Sequence, residues 1–127
     1  TGTYGKVNPA IQCSLSASAL IIGCAKTGVS GIKGGKESTK FSNWFMFDLG
    51  MAVQNLSLRA HELGLGTVIV GLMDHDACKD MIELPEGYEA VVSIPVGRPA
   101  AGGSRAAIRK NLENFVHRDR FKQPFFS

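Results

Sequence analysis

Apolar positions recur every three to four residues through the middle of the chain, which is the period of one helical face. The residues on this face are Phe45, Leu49, Ala52, Val53, Leu56, Ala60 and Leu63. Phe47, Met51 and Leu58 form a second apolar face. A surface helix packed on one core needs only one such stripe. The pattern therefore predicts a long helix that is buried on more than one side.

Both ends of this helix carry recognisable signals. Ser42 or Asn43 can cap its start with a side-chain oxygen. Gly64 can take the left-handed conformation that ends a helix, and Leu65 can then fold back onto the last turn. Beyond it, residues 67–73 are continuously apolar and rich in β-branched side chains, which predicts a strand covered on both faces.

Shorter patterns predict a mixture of further strands and helices. Residues 17–25 form an apolar run typical of a buried strand, and residues 27–40 form a surface loop rich in glycine and lysine. Residues 74–83 fit a short helix capped by Asp74 or Asp76. Residues 88–96 alternate as in a strand, and residues 108–116 give the apolar face of a last short helix.

Length and composition fit one globular domain, since the chain has 127 residues of which 44% are hydrophobic. No apolar stretch approaches the roughly 20 residues that span a bilayer, so we expect no membrane partner. The chain begins at Thr1 without a signal-peptide pattern, which we interpret as an internal position of a longer product.

The cysteines and histidines give no sign of a metal site. The three cysteines are odd in number and lack CxxC spacing, which favours free thiols in a reducing cytoplasm. His61, His75 and His117 are far apart and lack metal-ligand spacing. We expect a cytoplasmic protein without a bound metal.

Positive charge is concentrated near the end of the chain, where residues 98–127 hold seven basic side chains and two acidic ones. Such a segment favours an anion, although a solvated basic face explains the charge equally well. The segment has no helix-turn-helix, zinc-finger or ribonucleoprotein signature. We therefore expect no nucleic-acid partner and keep a basic nucleic-acid-binding domain as a third, less favoured hypothesis.

Two glycine patterns fail as nucleotide-binding motifs. A phosphate-binding loop ending at Gly35-Lys36 would need glycine at position 30 and serine or threonine at 37, where the chain has Ser30 and Glu37. The Gly64-Leu65-Gly66 segment follows a helix and opens a strand, which is the reverse of a dinucleotide-binding fingerprint.

Six short motifs occur in a fixed order along most of the chain. They are DLGMAVQNL at 48–56, ELGLGT at 62–67, VG at 70–71, LPEGYE at 84–89, VGRP at 96–99, and the residues Arg109, Lys110, Leu112 and Phe115-Val116-His117. In this order and spacing the chain resembles the FMN-dependent nitroreductases.

The resemblance implies an α+β, nitroreductase-like fold: a mixed, largely antiparallel sheet flanked by helices, with the long central helix in a dimer interface. It also implies a homodimer that binds FMN and takes electrons from NADH or NADPH. The acceptor would be a small molecule of the nitroaromatic, quinone or flavin type.

The resemblance also assigns cofactor-binding residues. The backbone around Val70 and Gly71 would face the flavin ring, where a glycine leaves room for close approach. Arg109 would bind the FMN phosphate through its guanidinium fork, with Lys110 as a second candidate. No side chain is implied as a general acid or base, because the flavin carries the hydride chemistry.

The chain departs from the family pattern at its front. The Arg-Ser-x-Arg type and Asn-x-Gln-Pro-Trp type segments that family members use around FMN do not occur. We therefore expect residues 1–127 to be a single nitroreductase-like domain that lacks the N-terminal FMN-binding segment. The leading hypothesis is an FMN-dependent NAD(P)H oxidoreductase. The alternative is a truncated, non-catalytic nitroreductase-fold dimerisation or interaction protein that does not bind flavin.

Overall fold

Two long antiparallel strands form the centre of the molecule. β1 (Ala19–Lys26) pairs with β5 (Tyr88–Gly97), with Ile21 opposite Ile94 and a bulge between Gly23 and Cys24. The short strand β4 (Gly66–Thr67) adds to the other edge of β5, so the strand order is β1-β5-β4. The computed structural model describes residues 11–102 and 108–125.

Helices flank this sheet. The helices are α1 (Ile11–Ser16), α2 (Trp44–Glu62) and α3 (His75–Met81). α1 and α3 contact β5, whereas α2 contacts β1 and β4. A small hairpin of β2 (Ile32–Lys33) and β3 (Lys36–Glu37) precedes α2. The result is the predicted α+β architecture, with an antiparallel sheet flanked by helices.

The long helix α2 ends as its sequence predicts. Gly64 is left-handed with φ 72°. The Gly64 N–H donates to the His61 carbonyl and the Leu65 N–H donates to the Ala60 carbonyl, each at 2.9 Å. This pair of bonds is the Schellman arrangement, which satisfies carbonyls that the helix leaves without a partner. At the other end Asn43 takes the N-cap position, but its side chain makes no capping hydrogen bond.

One apolar face of α2 packs on the sheet and the other is exposed. Val53 and Ala60 are buried, and Leu49 and Leu56 are half-buried. The side chains of the second face are 50 to 58% exposed; they are Phe47, Met51 and Leu58. Within this single chain, α2 therefore buries one of its two predicted apolar faces.

The predicted strand over residues 67–73 is wrong in length and burial. Only Gly66 and Thr67 form a strand, Val70 makes a single bridge to Ser93, and Ile69 and Leu72 are 52% and 69% exposed. The register of β4 on β5 places Val68 opposite Pro95. Since proline has no N–H to donate, the ladder is interrupted there.

The predicted helix over residues 108–116 is also wrong, because only a 3₁₀ turn forms at Leu112–Asn114. Ile108 is 100% exposed and Phe115 is 54% exposed. A helix this short depends on packing of its apolar face, and three of the four apolar residues, Ile108, Leu112 and Phe115, are more than half exposed. The first six residues, which the sequence suggests are a connection or a helix end, lie outside the described residues.

The remaining elements form close to their predicted ranges, but β1 is not the buried strand that the sequence predicts, since Leu20 and Ile21 are 44% and 38% exposed. The predicted loop over residues 27–40 contains the β2–β3 hairpin, whose two turn residues Gly34 and Gly35 both have positive φ, as a tight hairpin turn requires. α3 begins after Asp74, whose carboxylate accepts the Ala77 N–H at 3.0 Å. No helix within residues 11–102 and 108–125 has the length and apolar character to cross a bilayer.

Candidate functional site

In the segment after β4, the exposed residue Gly71 follows the buried residue Val70. Val70 is 5% exposed and exchanges two backbone hydrogen bonds with Ser93, each 2.9 Å long. Gly71 follows it outside the sheet. A Cβ placed on Gly71 would meet no atom within 4 Å. The Gly71 backbone therefore faces open space and has room for a flat ligand.

Both sides of Gly71 are fixed by the fold. On one side the Val70–Ser93 bridge ties the segment to the central strand β5. On the other side Met73 is buried in the core, and its N–H donates to the Gly71 carbonyl at 3.1 Å. The Gly71 N–H donates to no backbone carbonyl of the described residues. Val70 and Gly71 are the two residues predicted to face the flavin ring. Only the Gly71 N–H can donate to a ligand, because the Val70 N–H donates to the Ser93 carbonyl.

Arg109 and Lys110 lie in an exposed, non-helical segment. Neither forms an ion pair with a carboxylate of the described residues, so both side chains are available to an anion. No hydrogen bond or ion pair between described residues joins them to Val70 or Gly71.

Ser93, a fully buried serine in the middle of β5, was not predicted from the sequence. It lies opposite Ile22 on β1 and opposite Val70 on the other side. Its sequence signal is a hydroxyl residue within a mostly apolar strand, which does not reveal its partners.

A cleft at the start of α2 was not predicted from the sequence either. This cleft has a volume of about 590 Å³ and is lined by Lys40, Phe41, Ser42, Asn43, Trp44 and Phe47. The sequence signal for it is the spacing of the aromatic residues at 41, 44 and 47.

Two of the three thiols lie in the core. All three cysteines are free, as the sequence predicts. Cys24 and Cys78 pack in one core cluster with Met73 and Ala90. Burial raises the pKa of both thiols, and the proximity of Cys24 raises that of Cys78 further. The described residues contain no group of His, Cys, Asp and Glu side chains placed to hold a metal ion.

These features define an α+β domain in which a long helix, a Schellman stop and an exposed glycine follow one another along the sheet edge. The model of the nitroreductase family matches residues 10–98. The chain belongs to the nitroreductase family, which confirms the resemblance seen in its motifs.

Solved structures have the same fold. A nitroreductase family protein of Clostridium novyi NT is 20% identical with a TM-score of 0.64, over 97% of this chain and 63% of that one. An oxidoreductase containing FMN is 22% identical with a TM-score of 0.66, over 84% and 57%. A putative NADH oxidase of Clostridium acetobutylicum is 23% identical with a TM-score of 0.60, over 83% and 60%. The chain thus spans 57 to 63% of the length of these three proteins.

Proposed function

We propose that this chain is an FMN-dependent NAD(P)H oxidoreductase that reduces nitroaromatic, quinone or flavin-type acceptors. The observation that carries the proposal is family membership over residues 10–98, a stretch that includes Val70 and Gly71. Two similar structures support it, since one is of an oxidoreductase containing FMN and another is of a putative NADH oxidase.

The residues around Gly71 fit a flavin ring. The Cβ position of Gly71 is open to 4 Å, so a planar ring can approach the backbone without meeting a side chain. The Val70–Ser93 bridge holds that backbone in place. When bound, FMN would supply the hydride chemistry, and the protein would position the ring.

Arg109 and Lys110 fit the phosphate of FMN. Both are exposed and neither pairs with a carboxylate of the described residues. The guanidinium of Arg109 can form two parallel hydrogen bonds to phosphate oxygens, whereas the Lys110 ammonium binds as a point charge. We propose that Gly71 and Arg109 act on one FMN in the complete dimer.

The exposed face of α2 supports a homodimer. Phe47, Met51 and Leu58 are each at least half exposed on this face. Contiguous exposed apolar side chains of this kind mark protein interfaces. In the proposed dimer α2 of one chain packs against the partner chain, and residues 1–127 act as one nitroreductase-like domain.

The experiment is to purify the chain and measure its cofactor content and assembly. A yellow protein that contains FMN, oxidises NADH or NADPH and passes electrons to a nitroaromatic or quinone supports the proposal. A colourless dimer that FMN titration leaves unchanged would refute it. That result would instead support a non-catalytic dimerisation or interaction protein built on the exposed face of α2.

A further inference from the structure

Leu72 carries an exposed apolar side chain directly after Gly71. It is 69% exposed, whereas Val70 on the other side of Gly71 is 5% exposed. Met73 is buried as well. The segment thus has core residues on both sides of two exposed positions, a glycine and a leucine. Because covering an apolar side chain is favourable, Leu72 would gain from any ligand bound against Gly71.

A tight turn fixes Leu72 relative to Gly71. The Met73 N–H donates to the Gly71 carbonyl at 3.1 Å, which closes a three-residue turn with Leu72 at its centre. Both ends of this turn are anchored, since Val70 is bridged to Ser93 and Met73 is buried. Only the side-chain rotamers of Leu72 remain to be ordered when a ligand binds, which keeps the entropy cost low.

The segment around Leu72 offers apolar groups and a hydrogen-bond donor but no charge. Residues 66–73 contain no charged side chain. The next acidic residue, Asp74, uses its carboxylate to accept the Ala77 N–H at 3.0 Å at the start of α3. The donor is the Gly71 N–H, which donates to no backbone carbonyl of the described residues. This combination suits a flat, largely apolar ring with hydrogen-bond acceptors at its edge, as in a flavin.

The size of a flavin ring brings it over Leu72. Neighbouring Cα atoms are about 3.8 Å apart, and three fused rings are longer than this spacing. A flavin ring that reaches the Gly71 backbone therefore also covers an adjoining residue. The Val70 side chain is buried in the fold and cannot meet the ring. The Leu72 side chain is exposed and can do so.

We propose that Leu72 binds the flavin ring by packing its side chain on the apolar part of that ring, beside the Gly71 backbone. This inference rests on the proposed binding of FMN. It adds a side chain that recognises the ring itself, whereas Arg109 is proposed to bind the phosphate. Ring and phosphate are then recognised by different residues, whose contributions can be separated by experiment.

Lumiflavin separates the two contacts, because it has the flavin ring without the ribityl phosphate. The full chain, freed of bound flavin, is titrated with lumiflavin and with FMN while flavin fluorescence is measured. Leu72→Ala should weaken the binding of both ligands about tenfold, because each loses the same apolar contact. Arg109→Ala should weaken the binding of FMN and leave that of lumiflavin unchanged.

Matched variants show whether the effect belongs to Leu72. Leu15→Ala is the control, because Leu15 on α1 is 64% exposed, close to the 69% of Leu72, and it should change neither affinity. Leu72→Met keeps an apolar side chain of similar volume and should restore most of the affinity lost in Leu72→Ala. The midpoints of urea unfolding should be the same for the wild type and both Leu72 variants, since the side chain is exposed.

Three results would overturn the assignment. One is an equal FMN affinity in Leu72→Ala and Leu15→Ala, and another is the absence of lumiflavin binding to the wild type. The third is a loss of lumiflavin binding in Ile69→Ala but not in Leu72→Ala, which would mean that the ring extends to the other side of Val70. A wild-type chain that binds no FMN would refute the proposed function and this inference together. Normal FMN binding in Leu72→Ala would refute only the inference, so the two failures are distinguishable.

Discussion

Val70 and Ser93 exchange both of their backbone hydrogen bonds at 2.9 Å, although the ladder between β4 and β5 is already interrupted at Pro95. The bridge keeps the register set by Gly66 and Gly97. It therefore returns the chain to the sheet for one residue and holds Gly71 just outside it. The exposed glycine that we propose faces the flavin is thus anchored from a buried strand.

Adding a side chain at Gly71 should reduce FMN affinity without affecting the fold. The Cβ position is open, so Gly71→Ala and Gly71→Val should change the free energy of unfolding by no more than about 0.5 kcal/mol. FMN binding should weaken progressively, by about 1–3 kcal/mol for valine, because the added methyl groups meet the ring. FMN titration and urea unfolding measure the two quantities. Wild-type FMN affinity in Gly71→Val would show that the ring lies elsewhere.

Removal of the Arg109 side chain should weaken FMN binding by about 1.5–3 kcal/mol, the scale of a hydrogen bond to a charged group. Stability should hardly change because Arg109 is exposed. Arg120→Ala is the control, since Arg120 is another exposed arginine near the same end of the chain. Isothermal titration with FMN compares the two variants. Equal affinities in both would count against a phosphate-binding role for Arg109.

A charge on the exposed face of α2 should separate the proposed dimer. Met51→Glu places a carboxylate among apolar side chains that the partner would cover, where an unpaired charge is costly. Met81→Glu is the matched control because Met81 is 64% exposed on α3, compared with 50% for Met51. Sedimentation velocity should show a monomer for Met51→Glu and a dimer for Met81→Glu. A wild-type monomer, or a dimer that survives Met51→Glu, would contradict an interface on this face.

Alanine substitutions at Gly50, inside α2, and at Gly64, just after it, should change the free energy of unfolding in opposite directions. Gly64 has φ 72°, so Gly64→Ala should lower the free energy of unfolding by about 1 kcal/mol. Gly50 lies inside α2 with open space around its Cβ position, and Gly50→Ala should raise that free energy by about 0.5–1 kcal/mol. Urea unfolding measures both changes. Equal effects would mean that the Schellman stop does not determine where the helix ends.

The thiols should react in the order of their exposure. Cys13 is exposed and Cys78 is 2% exposed, so an alkylating reagent should modify Cys13 first and Cys78 only after unfolding. Burial raises the pKa of Cys24 and Cys78 above 9.0, which keeps both as thiols near neutral pH. The protonated thiols therefore contribute fully to the free energy of unfolding below pH 9.0, and this contribution declines as pH rises through the folded-state pKa. Mass spectrometry of the labelled peptides checks the order; early labelling of Cys78 would contradict it.

The sequence was sufficient for elements whose signals are local. α2 has a repeated apolar period and a glycine stop, and both its extent and its Gly64 conformation match the prediction. β5 has an alternating pattern that matches its observed range closely. The family motifs lie on these same elements, which explains why the resemblance emerged from one sequence.

Contacts between distant segments could not be predicted from local patterns in the sequence. Residues 67–73 are as apolar as a buried strand, but their conformation depends on Pro95, which removes a hydrogen-bond donor at the facing position of β5. The predicted helix over residues 108–116 is wrong for a related reason, because most of its apolar side chains remain exposed and gain no packing energy. Likewise, the aromatic spacing at 41, 44 and 47 did not show that the hairpin would pack on Trp44 and form a cleft, because that packing joins separate segments of the chain.

The sequence by itself thus determined the helix period, the glycine that ends α2, the apolar central strand and the family, because each depends on residues close together in the chain. Only the tertiary structure decided that Ser93 would hold Val70, that Gly71 would be exposed and that Lys40 would line a cleft with aromatic side chains. Those features depend on contacts between distant segments, whose partners a local pattern does not specify.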